Sequence, residues 1–94
     1  MYIIDAHNHP EWHGYDFNKT IENMDKFGIS KTWLLSWECP ASEYTPRYNA
    51  VMPTTLSEDY TGRIAIPFSL VVKYVEKAPE RLIAGYAPDP RRPE

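Results

Sequence analysis

Tyr2-Ile3-Ile4-Asp5-Ala6-His7-Asn8-His9-Pro10 opens the chain with a β-forming apolar run that ends in two histidines and a proline. Residues Tyr2 to Ala6 read as a strand. Pro10 has no N–H to give a ladder, so the strand is expected to stop near it. Further along, Asp16 suits a helix N-cap. Phe17, Ile21, Met24 and Phe27 then recur at helical spacing, and Gly28 suits the left-handed position just past the helix end. Thr32 to Trp37 is continuously apolar apart from its two hydroxyl residues, as in a strand covered on both faces. Pro67 suits the start of a second helix, with Phe68, Val71, Val72 and Val75 as its buried stripe and Pro79 as its stop. Leu82 to Ala87 is a third strand-like run, closed by Pro88-Asp89-Pro90.

The expected order is β-α-β-loop-α-β in a single α/β unit covering residues 1–94. The loop, residues 39–62, is long and irregular: it has no clean period and holds Pro40, Pro46 and Pro53, with a short helical turn expected around Thr55 to Tyr60. Alternation of strands and helices argues for a parallel sheet with right-handed crossovers. Three strands and two helices cover only one face of such a sheet, because crossovers running one way put both helices on the same side. The other face is then left with Ile, Leu and Trp side chains. The pattern is that of the opening of a larger α/β barrel.

Composition narrows the function classes. The 94 residues are 43% apolar and 24% charged, with a net charge of -3, which excludes a disordered acidic tail and a coiled coil. The basic residues are scattered, so no nucleic-acid partner is expected. No stretch approaches the roughly 20 apolar residues of a membrane span, and the opening lacks the basic flank of a secretory signal, so the expectation is a cytoplasmic protein with no membrane partner. A single cysteine, Cys39, excludes an internal disulfide and a cysteine-rich zinc site, and it is read as a neutral thiol.

All three histidines, His7, His9 and His13, fall within seven positions. Alternation along a strand sends His7 and His9 to the same side. They stand where a parallel strand delivers its carboxyl end, the functional face of α/β barrels. Two neutral imidazoles there can hold one divalent metal with a position left open. Asp5, two residues earlier, is placed to orient an imidazole from behind. A short His-x-His pattern also arises on ordinary surfaces beside turns. His13, in the loop past Pro10, is read as outside the ligand set.

Residues 2–9 resemble the first strand of the amidohydrolase superfamily, in particular its amidohydrolase-related group of decarboxylases and lactonases. Met24-Asp25-Lys26-Phe27-Gly28-Ile29-Ser30-Lys31 is similar to that group's first helix end and turn. Ala78-Pro79-Glu80-Arg81-Leu82-Ile83-Ala84-Gly85-Tyr86-Ala87 is similar to its second helix end and third strand. Phosphoesterases of the polymerase-histidinol-phosphatase type share the opening, but their Ser-Asp-Gly-like continuation is absent. The resemblance implies a partial TIM (β/α)8 barrel, its first β-α-β-α-β segment. It implies His7 and His9 as ligands of a divalent metal, zinc first among the candidates, and a hydrolase or lyase acting on a carbonyl or carboxylate small molecule. The family's remaining ligands come from later strands, and a whole barrel takes about 250 residues. The expectation is therefore an N-terminal fragment that is inactive alone. The alternatives are a complementing subunit of a split barrel enzyme and a small non-catalytic binding domain.

No catalytic residue is assigned. Trp12, His13, Glu38 and Arg47 are candidates for a substrate pocket: Trp12 and His13 follow the metal strand, Glu38 ends the second strand, and Arg47 would pair with a substrate carboxylate. Two of them have a plainer reading, local packing for Trp12 and a solvated carboxylate for Glu38, and a single arginine in a loop is weak support for a carboxylate substrate. Asp89 is read as turn chemistry between prolines, and Trp33 and Trp37 as core. An uncovered sheet face with open edges leads us to expect self-association.

Overall fold

The computed structural model describes residues 2–45, 47, 58 and 61–91. Strand β1 (Ile3–Asn8), helix α1 (Phe17–Phe27) and strand β2 (Ile29–Leu35) form the first unit. A short strand β3 (Trp37–Pro40) follows, paired with β4 (Arg63–Ile66); then come helix α2 (Phe68–Lys77) and strand β5 (Leu82–Gly85). Strands β1, β2 and β5 make one parallel sheet in that order, so this is a small α/β domain with a three-stranded parallel sheet and two helices.

The helix ends follow from local chemistry. The Asp16 carboxylate accepts the Lys19 N–H at 2.8 Å, satisfying one of the donors a helix start leaves open. Gly28, at φ 68°, turns the chain out of α1 while its N–H reaches back to the Asp25 and Met24 carbonyls. Pro67 caps α2 from just outside it, one position earlier than expected.

Both helices pack on one face. Met24 of α1 joins Val71 and Tyr74 of α2 and Ala78 just past its end, and all four pack with Leu34 and Leu82 of the sheet, in a single buried cluster. The opposite face carries Ile4, Trp33, Leu35 and Ile83, as the register Ile4–Lys31, Trp33–Ile83 and Leu35–Gly85 requires. Trp33 is 40% exposed and Ile4 47%, so Trp33 is not core. Trp37 belongs to the next strand and is half-buried. Phe27, expected on the buried stripe of α1, is exposed, as is Phe68 at the first turn of α2; Tyr74 takes a core place instead.

Residues 39–62 are not wholly irregular. Cys39 and Pro40 pair antiparallel with Ile64 and Arg63, and Ala41–Glu43 form a 3-10 turn. Glu58 makes one bridge to Ile64. The rest of the turn expected around Thr55 to Tyr60 lies outside the described residues. The β3–β4 ribbon is clamped to the segment after β5 by Asp89. Its buried carboxylate accepts from Arg63 at 3.2 Å and from Arg91 at 2.9 Å, and Arg91 also makes a two-pronged pair with Glu43. Asp89 does act on its own turn, through the Arg91 N–H, but it also ties the ribbon to the sheet. At the other end of the sheet, Arg81 donates to the Ile29 and Ser30 carbonyls and pairs with Asp25, which fixes the start of β5 against the start of β2.

Candidate metal centre at the carboxyl end of the sheet

The end of β1 departs from a regular ladder. Its register with β2 shifts between Asp5 and Asn8, which frees backbone donors from strand pairing. Side chains of the motif take them up. The Asp5 carboxylate accepts the His7 N–H at 3.1 Å, and the Asn8 amide oxygen accepts the His9 N–H at 2.8 Å. Asp5 and Asn8 thus set the backbone that carries both imidazoles. Asp5 holds the main chain at His7; the imidazole contact expected of it goes to another group.

That group is the backbone carbonyl of Leu35, at the end of β2, 2.8 Å from His9 Nδ1. A carbonyl oxygen only accepts, so His9 carries its proton on Nδ1 and presents Nε2 as a lone pair. His9 is 7% exposed, and burial pushes its pKa below the usual 6.5, with the Leu35 contact opposing and His7 adding to the fall. The ring is therefore neutral at pH 7, the form that binds metal.

His7 Nε2 stands 3.2 Å from His9 Nε2, with the two rings edge to face. With one proton between them, the contact is a hydrogen bond. It is also the spacing of two ligands: nitrogens bound at the ~2.0–2.1 Å of a zinc–imidazole bond with tetrahedral angles stand about 3.3–3.4 Å apart. The donor set, its convergence and the carbonyl behind His9 fit a divalent ion. Among the described residues, no group of three or more His, Cys, Asp and Glu side chains could complete such a site.

Trp12 lies over His9, with ring centres 4.8 Å apart. His13 meets the indole edge-on at 5.8 Å. The loop holding them is strained: Glu11 and His13 both adopt left-handed backbone, at φ 60° and 55°, a conformation that costs a non-glycine residue about 1–2 kcal/mol. Glu38 is occupied elsewhere, accepting the Asp89 N–H. Arg47 is exposed, beyond the 3-10 turn that follows β3. Cys39 is half-buried, and burial raises its thiol pKa, with Glu43 adding to the rise.

Sequence reasoning missed Leu35 and Asn8. Every residue has a carbonyl, so no sequence signal marks the one beneath His9. Asn8 stood inside the motif, but its role depends on the register shift.

No family model, curated protein or solved structure matches this chain. Among the described residues no helix is long and apolar enough to cross a membrane.

Proposed function

We propose that this chain is the opening β-α-β-α-β portion of a metal-dependent, amidohydrolase-related barrel enzyme, a hydrolase or decarboxylase acting on a carbonyl or carboxylate small molecule. The observation that carries this reading is the convergence of His7 and His9 Nε2 at the carboxyl end of a parallel strand, with the Leu35 carbonyl holding the inner ring. Ligands of open α/β sheets bind outside the carboxyl ends of the strands. A divalent ion held there, zinc first among the candidates, supplies Lewis acidity to a substrate oxygen or to water. The chain's own part is to present two imidazole nitrogens, fix one ring through Leu35, and keep that ring dry.

Catalytic zinc takes three protein ligands, and this pair supplies two. The chain alone is therefore expected to bind metal weakly and to turn over no substrate. The uncovered sheet face, with Ile4 and Trp33 exposed, favours a second form of the same reading, in which another polypeptide completes the site as its complementing subunit.

Zinc titration by calorimetry tests the proposal. One ion per chain is expected for the native sequence and none for a His7→Ala, His9→Ala double variant. Equal uptake by both would remove the histidine pair from the account.

A further inference from the structure

We infer that Trp12 is a positioning residue for His9: its indole fixes the plane of the inner imidazole so that Nε2 faces His7. The inference rests on the metal reading for its purpose, but its geometry stands apart from that reading.

The loop is built around the indole. Trp12 N–H points back to the His9 carbonyl at 3.4 Å, and Tyr15 N–H closes on the Trp12 carbonyl at 3.0 Å. Gly14 N–H reaches the Glu11 carbonyl at 3.1 Å. The residues on either side of Trp12, Glu11 and His13, are the two non-glycine residues with left-handed backbone among those described. Strained backbone persists where its surroundings impose it, and here both strained positions flank the residue that covers His9. The indole lies tilted at 42° to the imidazole with ring centres 4.8 Å apart, which is contact distance.

The Leu35 carbonyl holds Nδ1 by a single hydrogen bond, which rotation of the ring about Cβ–Cγ would break. The indole, in contact with the ring and tilted at 42° to it, stands in the way of that rotation. The two contacts together determine where Nε2 points, and His7 Nε2 lies in that direction. Trp12 touches neither a substrate nor the metal in this role. It acts through His9.

The test compares the native chain with Trp12→Ala, Trp12→Leu and Trp12→Phe, each checked for native fold by its amide spectrum. The first readout is the histidine side-chain nitrogen spectrum. Native His9 is expected as a single Nδ1–H tautomer. Trp12→Ala and Trp12→Leu should show averaging between tautomers, and Trp12→Phe, which restores a ring, should recover the native pattern. The second readout is cobalt(II) affinity, which should fall about tenfold in the alanine and leucine variants and recover with phenylalanine. A fixed His9 tautomer in Trp12→Ala or Trp12→Leu overturns the inference, whatever the metal does. Should the alanine variant fail to fold, the leucine and phenylalanine pair decides. If the native chain takes up no cobalt, the metal reading falls, and the tautomer comparison still settles the part played by Trp12.

Discussion

At the scale of single residues, polar groups in the sheet are well satisfied at the end of β1 and less so in the middle of β2. Asp5 and Asn8 meet the backbone donors that the shifted register of β1 leaves open. Thr32, 1% exposed at the middle of β2, instead buries a hydroxyl that has no hydrogen-bond partner among the described residues. A buried hydroxyl without a partner costs about 1–3 kcal/mol, and valine has nearly the same shape without it. Thr32→Val is expected to raise unfolding stability by about 1 kcal/mol in urea denaturation, with no change in slope. A loss of stability would mean that the hydroxyl has a partner. Gly85 is needed for a different reason: a methyl of Leu35 from the adjacent strand occupies the place where its Cβ would stand.

At the scale of elements, the helices and the three parallel strands were legible because their signals are local. Asp16, the Phe17–Met24 spacing and Gly28 delimit α1, and continuous apolar runs mark β2 and β5. The β3–β4 ribbon was not legible. Each strand is four residues long, one ends in Pro40, and the partners are separated by the long connection. Pairing of that kind is settled by tertiary contacts, above all by Asp89, which lies outside both strands. The candidate site divides the same way. His7 and His9 could be read from a strand's alternation, whereas the Leu35 carbonyl, 26 positions from His9, could not. The ribbon's clamp makes a pH prediction. Hydrogen bonds from the Arg91 side chain and backbone, with help from Arg63, hold the Asp89 carboxyl at about 2, below the ordinary 3.8. A carboxylate with a depressed folded value stabilises the fold above its unfolded value and loses that contribution as the pH falls through its folded value. The stability advantage of the native chain over Asp89→Asn should be full above about pH 4 and vanish toward about pH 2. An advantage that stays constant across that window, measured by denaturation at each pH, would show that Asp89 acts through packing alone.

At the scale of the whole molecule, the two faces of the sheet are unequal. One is covered by α1 and α2; the other carries Ile4 and Trp33 partly in water. Parallel sheets are ordinarily covered on both faces, and among the described residues β1 and β5 stand at the edges of the sheet, where strands leave backbone groups open. We expect the isolated chain to self-associate. Sedimentation velocity should show mass rising with concentration, and Trp33→Lys should reduce the effect because it puts a charge in the centre of that face. A native chain that stays monomeric at high concentration would contradict this expectation. The same unequal coverage agrees with a sheet that is part of a larger barrel, and the histidine pair stands at the end of that sheet where barrel enzymes do their chemistry. X-ray absorption at the zinc edge of the loaded chain tests that central claim most directly. The account predicts two imidazole nitrogens at about 2.0–2.1 Å with the remaining shell made of light atoms. A shell without imidazole scattering, or one unchanged by replacing His7 and His9, would contradict it.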